Sequence, residues 1–354
     1  MNKYRAVALF SGGLDSILAV RIMQMQGWEV VGLHFYSPFF GNPELVDHWR
    51  NIHRLEIIKK DVSDEFVAML LNGPEHGLGK FLNPCVDCKI FMLGLAKKYM
   101  LDLQARLIIS GEVLGQRPMS QRRDALFLIR NRAGVKDVLL RPLSAGLFDP
   151  IPAESFGLVN RERLLSLSGR GRKEQIALAR EMNIREIPTP GGGCLLTQAQ
   201  SARRYLPVLN NGFRTPVSGD FRLANVGRQY WADGHWLCVG RDKQDNERLN
   251  ALKKEGDYLF QLKDFPGPSG IGRPWSGEWE RKTIESGASW LSRFAPKARK
   301  SLRAVEVEVR NRTGKEIFRV WPGNAGDFNW EEPSWDPEGK KLFVKQAKCG
   351  ANDL

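Results

Sequence analysis

The segment Ser-Gly-Gly-Leu-Asp-Ser at residues 11–16 constrains the fold of this chain more than any other part of the sequence. It follows an apolar run at residues 6–10 and opens a stretch, residues 16–26, in which apolar side chains recur at helical spacing. A glycine-rich turn lets the backbone approach a phosphate, and the helix N-terminus adds N–H donors. We therefore predict a phosphate-binding turn, with Asp15 as a candidate Mg²⁺ ligand or helix cap. The candidate contacts are Ser11, Gly12, Gly13, Asp15 and Ser16.

The first part of the chain alternates between strand-like and helix-like segments. The apolar runs are residues 6–10, 29–35, 54–59 and 105–110, and the helical patterns are 16–26, 90–100 and 172–182. This alternation predicts an α/β fold with a doubly wound parallel sheet.

The composition changes in the second part of the chain, where eight of the ten tryptophans follow residue 230 among many Gly and Pro residues. The strand-like runs there are residues 236–239, 258–262, 304–309 and 316–321. We predict a β-rich α+β domain in this part. The expected domains are residues 1–208 and 209–354, with the limit beside Asn210-Asn211-Gly212.

The charge balance and the apolar runs restrict the possible binding partners and the cellular location. Lys and Arg total 53 against 40 Asp and Glu, a net charge of +13, which favours a polyanionic partner and nucleic acid first. No apolar stretch approaches the roughly 20 residues of a membrane span, and the N-terminus lacks a secretory pattern. We expect a cytoplasmic protein, in which the five cysteines form no disulfide scaffold.

Three cysteines are candidates for metal or sulfur chemistry. Cys85 and Cys88 open a helix in the segment Asn-Pro-Cys-Val-Asp-Cys-Lys, and Cys194 follows three glycines. A lone pair of this spacing suits redox, zinc or iron–sulfur chemistry. We expect the helix N-terminus to lower the thiol pKa. Three thiols with one open position would suit a 4Fe-4S cluster that receives sulfur. Cys238 is expected in the core, and Cys349 to be incidental.

The segment at residues 11–16 resembles the signature of the PP-loop ATP pyrophosphatases, which adenylate a carbonyl oxygen and release pyrophosphate. The resemblance implies ATP as the nucleotide. It also implies that adenine lies against the end of the second strand and that the later strand end at residues 109–112 lines the nucleotide. The additional binding residues implied are Leu33, His34, Phe35 and Gly111.

The segment NPCxxCK, with residues 169–176 ahead of Cys194, resembles the tRNA 2-thiouridylases and related tRNA thiolases. This resemblance covers residues 5–205. It implies Cys85, Cys88 and Cys194 as catalytic residues beside Asp15, either in a persulfide relay or as ligands of an iron–sulfur cluster. The sulfur would come from a donor protein or from sulfide. The identity of the modified base stays open.

The second domain resembles the RNA-binding region of the NFACT proteins, through residues 236–246, 256–261 and 264–269. A helix is expected at residues 288–300. Arg241, Lys243 and Arg273 are candidate phosphate contacts, and exposed aromatic side chains are candidates for stacking on bases. Most of the tryptophans are nevertheless expected to lie in the core.

Thiolation of RNA, tRNA foremost, is the interpretation that uses all of these features. It comprises adenylation of a base carbonyl oxygen with pyrophosphate release, followed by sulfur transfer. One alternative is a PP-loop ligase or amidotransferase that acts on a small carbonyl substrate, which needs no thiols. Another is an RNA-binding adaptor without catalysis, which needs no intact phosphate turn.

Overall fold

The computed structural model of the chain describes residues 5–189, 193–210 and 212–350, with side chains described as far as residue 347. The chain divides into two compact units, Met1–Thr197 and Gln198–Leu354. The sequence places the domain limit at 208/209, which falls inside the helix Ala199–Asn210 of the second unit. In the described residues, no helix combines the length and apolar character needed to span a membrane.

The first unit is built on a five-stranded sheet in which every neighbouring pair is parallel. The strands are β1 (Arg5–Leu9), β2 (Glu29–Tyr36), β3 (Glu56–Asp61), β4 (Leu107–Ser110) and β5 (Leu139–Leu140), in the order β3-β2-β1-β4-β5. The predicted parallel α/β sheet is thus confirmed. The chain order reverses between β1 and β4, and open sheets of this kind bind ligands outside the carboxyl ends of the strands at such a switch point.

Helices cover both faces of this sheet. They are α1 (Leu14–Met25), α2 (Val46–His53), α3 (Ser63–Leu71), α4 (Cys85–Asp102), α5 (Arg123–Arg132), α6 (Pro152–Ser155) and α7 (Lys173–Glu181). Side chains of β1 alternate between the faces, since Ala6 and Ala8 pack in the apolar cluster of α1, while Val7 packs in that of α4. A doubly wound arrangement follows, with β1 at its centre.

The second unit is built on a six-stranded antiparallel sheet with the order β11-β10-β8-β9-β7-β6. Its strands are β6 (Arg228–Ala232), β7 (His235–Val239), β8 (Tyr258–Leu262), β9 (Ser269–Arg273), β10 (Val305–Asn311) and β11 (Gly314–Val320). Its helices are α8 (Ala199–Asn210), α9 (Ser218–Ala224), α10 (Lys243–Leu252), α11 (Arg281–Ser292), α12 (Pro296–Lys300) and α13 (Pro337–Gly350). The predicted β-rich α+β domain is confirmed.

The single helix expected at residues 288–300 is wrong, because two helices, α11 and α12, share this stretch. Proline lacks an N–H and disfavours a helical conformation in the residue before it. Ala295 is accordingly extended, and Pro296 starts α12 at a position where the missing N–H costs no helical hydrogen bond.

Candidate functional site

The turn after β1 requires glycine at residue 12. Gly12 has φ +74°, and a Cβ at this position would lie 2.5 Å from Cε2 and from Cη2 of Trp49. The indole of Trp49, from α2, is thus packed directly against the turn. The local sequence folds this way because only glycine combines this backbone conformation with so close an aromatic neighbour.

Short polar contacts hold the rest of this turn. The Ser16 hydroxyl donates to the carbonyl oxygen of Gly13 at 2.7 Å, and the Gly13 N–H donates to Ser11 Oγ at 3.3 Å. Among the described residues, no side chain caps the N-terminus of α1. The Ser16 N–H donates to Gly13 O at 3.0 Å, which leaves the N–H groups of Leu14 and Asp15 as the donors that a phosphate could use.

Asp15 is a half-buried carboxylate with only one oxygen in a hydrogen bond. Its Oδ2 accepts from Gln116 Nε2 at 3.1 Å, whereas its buried Oδ1 accepts no hydrogen bond in the described part of the chain. Burial raises the pKa of Asp15, opposed by the hydrogen bond from Gln116 and by the charges of Arg172 and Arg117. A bare carboxylate oxygen beside a phosphate turn fits Mg²⁺, which prefers oxygen ligands.

The end of β4 packs against the phosphate turn through Gly111. A Cβ on Gly111 would lie 2.5 Å from the carbonyl oxygen of Asp15, so only glycine allows this approach. The next residue, Glu112, is buried and receives a hydrogen bond from Arg141 Nε at 3.0 Å, with Lys89 Nζ at 3.7 Å. Burial alone would raise the pKa of Glu112, but Lys89 and Arg141 outweigh burial and lower it.

The residues at the end of β2 turn their side chains inward. Leu33, His34 and Phe35 are all buried. His34 Nδ1 donates to the carbonyl oxygen of Phe10 at 2.9 Å, and Nε2 accepts from the N–H of Asn42 at 3.0 Å, so the ring is neutral. Burial lowers the His34 pKa. These side chains therefore support the edge of the sheet. The nucleotide contact at the end of β2 stays a prediction, and the backbone would have to make it.

Main-chain hydrogen bonds bring Cys194 to the segment that carries the other two thiols. Cys194 forms a bridge with Phe40, and the N–H of Leu195 donates to Phe39 O at 2.8 Å. On the other side, the N–H of Leu82 donates to Leu196 O at 3.2 Å. The residues around Cys194 thus contact both the loop after β2 and the loop that leads into α4.

Cys85 and Cys88 lie in the first turn of α4, as the sequence predicts. Asn83 Nδ2 donates to Cys85 Sγ at 3.0 Å. Burial raises the Cys88 pKa, and Cys194 and Cys85 add to the rise while Lys89 opposes it. Burial also raises the pKa of Cys194, to about 12. The expected lowering by the helix N-terminus is therefore wrong for Cys88, because burial outweighs it.

The three thiols are close enough to act on each other electrostatically. Three soft thiolate donors suit an iron–sulfur cluster. However, in the part of the chain that the structure describes, no group of three His, Cys, Asp or Glu residues is arranged so that it could hold a metal ion. The donor types fit a cluster, whereas their present arrangement does not.

Sequence reasoning missed three residues near Asp15. Gln116 and Arg117 belong to the loop after β4, and Arg172 immediately precedes α7. Arg172 lies within the segment 169–176 that resembles the thiolases, but the sequence alone gives it no role. A usable signal was the position of Gln116 and Arg117 shortly after a predicted strand, since loops at the carboxyl ends of parallel strands meet at one edge.

In the second unit, two of the three candidate phosphate contacts are exposed and one is buried. Arg241 and Lys243 are exposed, and Arg241 Nε donates to Asp245 at 2.6 Å. Arg273 is only 2% exposed and pairs with Asp220 at 2.9 Å and Asp257 at 2.7 Å, so its assignment to a phosphate is wrong.

Most aromatic side chains of the second unit belong to the core, as expected. Trp236, Trp275, Trp279 and Trp330 are buried, whereas Trp321 is 57% exposed. Cys238 is also buried, which confirms its place in the core; the side chain of Cys349 lies outside the described residues.

Both units match family models. Residues 2–147 match the model described as Thiamine biosynthesis protein (ThiI), and residues 227–329 match the model described as NFACT protein RNA binding domain. The first unit thus contains a ThiI-family domain, and the second contains an NFACT-type RNA-binding domain.

Part of this chain is similar in sequence to a known protein. The probable tRNA sulfurtransferase of Thermococcus kodakarensis is 26% identical over 147 residues, which are 39% of this chain and 36% of that protein. The match therefore spans about a third of the relative's length.

Two solved structures are also similar. A 4-thiouridine synthetase–RNA complex with bound ATP is 20% identical, over 52% of this chain and 42% of that chain, with a TM-score of 0.37. The U34-tRNA thiolase NcsA from Methanococcus maripaludis, with its 4Fe-4S cluster, is 11% identical over 54% of this chain and 61% of that chain, with a TM-score of 0.30.

Proposed function

We propose that this chain is an ATP-dependent sulfurtransferase that thiolates a base in tRNA. The observation that carries the proposal is the hydrogen bonding of the Cys194 segment to two loops at the edge where the phosphate turn lies. This arrangement gathers three thiols at one edge of the sheet. The ThiI-family domain and the partial likeness to a tRNA sulfurtransferase support the same activity.

In the proposed first step, the base carbonyl oxygen attacks the α-phosphorus of ATP, the new C–O–P linkage forms, and pyrophosphate leaves. The uncapped N–H groups of α1 bind phosphate oxygens. Asp15 would hold Mg²⁺, which neutralises phosphate charge when it is bound. Arg117 and Arg172 already act electrostatically at Asp15, so they are suited to stabilise the charge that develops as pyrophosphate departs.

In the proposed second step, a sulfur nucleophile attacks the activated carbon and AMP leaves with the former carbonyl oxygen. Cys85, Cys88 and Cys194 handle this sulfur. In a persulfide relay, one cysteine carries the sulfur and a second thiol releases the thiolated base as the two cysteines form a disulfide. An iron–sulfur cluster, which would bind sulfide directly, needs an arrangement of the three cysteines different from the one that the described residues show. In the relay, a donor protein supplies the sulfur as a persulfide, because sulfide alone forms no persulfide without an oxidant, and a thiol reductant then returns the disulfide to two thiols.

The direct test is mass spectrometry of nucleosides from tRNA treated with the purified protein, ATP and sulfide or a persulfide donor. The expected result is a thiolated nucleoside that appears only with ATP, together with stoichiometric pyrophosphate. Pyrophosphate release with a small carbonyl substrate but not with tRNA would instead favour a ligase.

A further inference from the structure

The two ends of the sheet in the second unit differ in the charged side chains that they carry. Because neighbouring strands are antiparallel, the C-terminal ends of β7, β8 and β11 meet the N-terminal ends of β6, β9 and β10. The pairs Val239↔Gly270, Gln261↔Ser269 and Val305↔Val320 fix this register. Loops and helix ends at this end of the sheet carry exposed cations and an exposed indole. We call this surface the basic end, and it consists of Arg241, Lys263, Arg293, Lys300, Arg303 and Trp321.

Apart from Arg241, which pairs with Asp245 at 2.6 Å, the cations of the basic end are weakly neutralised. Lys263 Nζ is 3.6 Å from Glu308, and Arg303 Nη2 is 3.7 Å from Asp264, distances beyond a good hydrogen bond. Arg293 stacks over the Trp290 ring at 4.1 Å, and among the described residues no acidic side chain pairs with Arg293 or Lys300. These groups therefore keep most of their capacity for an external anion.

The opposite end of the same sheet has a different balance. Its cations Arg281 and Arg312 are paired with Glu316 and Glu278. Further carboxylates there are exposed or lie in strand-end turns, namely Asp233, Glu255, Asp257 and Glu280. The excess of positive charge is therefore directional within this unit.

Trp321 distinguishes the basic end from a merely charged surface. It follows β11 directly, and its carbonyl oxygen accepts a hydrogen bond from Ser289 Oγ at 2.5 Å, which anchors the backbone while the indole is 57% exposed. A flat, exposed aromatic ring among cations matches unpaired nucleotides, in which phosphates lie beside bases that are free to stack. Bases in a duplex are already stacked and offer no face to an indole.

We propose that the basic end binds an unpaired segment of RNA, with the cations on phosphates and a base stacked on Trp321. This inference rests on the proposed function and adds to it the strandedness of the RNA and the surface that recognises it. All six residues lie within the stretch that matches the NFACT RNA binding domain, which favours RNA over an anionic membrane.

The first test uses the full-length protein and Trp321→Ala, with Trp321→Phe as the matched control. Fluorescence anisotropy compares a labelled oligouridine with an RNA duplex of equal charge. We expect Trp321→Ala to weaken oligouridine binding about five- to a hundredfold, with the phenylalanine variant close to the wild type and duplex binding unchanged in both. Unchanged oligouridine affinity in Trp321→Ala would overturn the proposal. Thermal unfolding of both variants identifies any loss that is due to misfolding.

The second test removes charge at either end of the sheet. In the triple variant Lys263→Ser, Lys300→Ser, Arg303→Ser, the slope of log affinity against log salt for oligouridine should become shallower by about 0.7 for each phosphate that is no longer bound. The control, Arg281→Ser, Lys282→Ser, Arg312→Ser, should keep the wild-type salt dependence. Equal losses in the two variants would contradict the assignment, as would binding of phosphatidylserine vesicles without binding of oligouridine.

These outcomes separate the two proposals. If the wild type binds oligouridine and every variant binds it equally, the surface is wrong while ATP-dependent thiolation stands. If the wild type binds neither oligouridine nor the duplex, the proposed surface fails, whereas thiolation of tRNA is decided by the nucleoside analysis described above. Calorimetric titration with ATP on the same samples reports on the first unit alone.

Discussion

Gly12 and Trp49 are in such close contact that any side chain at residue 12 would enter the indole. We therefore expect Gly12→Ala to abolish ATP binding and to destabilise the first unit by more than the roughly 1 kcal/mol cost of a left-handed alanine. Gly27→Ala is the matched control, since Gly27 also has a positive φ, +86°, but lies outside the turn, and a Cβ there would meet no atom of the described residues within 4 Å. Calorimetric titration with ATP and urea unfolding measure the two effects. Normal ATP affinity in Gly12→Ala would refute the role of the turn.

Asp15→Asn should reduce pyrophosphate release by at least about a hundredfold, because it removes the charge that would hold Mg²⁺ while keeping an acceptor for Gln116. The variant should also be more stable than the wild type at neutral pH. Burial raises the folded-state pKa of Asp15 above the ordinary 3.8, so the ionised carboxylate destabilises the fold.

This stability difference should shrink as the pH falls through the folded-state pKa of Asp15 and should vanish below the ordinary value. Urea unfolding at several pH values provides the measurement. A wild type more stable than Asp15→Asn at neutral pH would show that the bare carboxylate oxygen is satisfied in solution.

Cys194→Ala should eliminate thiolation and leave ATP binding unchanged, because the hydrogen bonds of Leu195 and Leu196 are made by the backbone. Cys85→Ala and Cys88→Ala should behave alike. The control is Cys238→Ala, which should retain activity but lose about 1 kcal/mol of stability, since it empties part of a core position. Full thiolation by Cys194→Ala would exclude Cys194 from the sulfur step. An absorption spectrum of anaerobically purified protein distinguishes a cluster from a persulfide relay.

Arg172→Ala should slow pyrophosphate release about ten- to a hundredfold through the loss of positive charge near Asp15, and Arg172→Lys should recover part of the rate. Arg170→Ala is the control, because Arg170 is exposed and exerts no such effect on Asp15. Single-turnover measurements with saturating ATP give the rates. Equal rates for the two alanine variants would remove Arg172 from the site.

Much of the first unit was predictable, because its signals are local in sequence. The apolar runs before and after residues 11–16 define β1, α1 and β2, and the glycines define the turn. The position of Cys194 was not predictable from local signals, because backbone bonds to Phe39 and Leu82 determine it. The inward direction of His34 was equally hidden, since both of its hydrogen-bond partners are main-chain atoms.

The second unit shows why side-chain exposure is harder to predict than strands. The sequence does not predict β9, because Gly270 and Gly272 weaken its strand pattern. Glycine is nevertheless required at residue 272, since a Cβ there would lie 2.5 Å from Trp279 Cη2. Arg273, at the end of that strand, is a residue of a type that usually lies at the surface. The register directs it inward to Asp220 and Asp257, which are distant in sequence.

The raised pKa values of Cys88 and Cys194 also determine how easily these thiols are oxidised. As free thiols at neutral pH, both are protonated, and a protonated thiol reacts slowly with peroxides and alkylating agents. Burial therefore protects these cysteines from accidental oxidation, at the expense of their own nucleophilicity. For the proposed sulfur transfer, this favours a donor that delivers the sulfur already activated, as a persulfide.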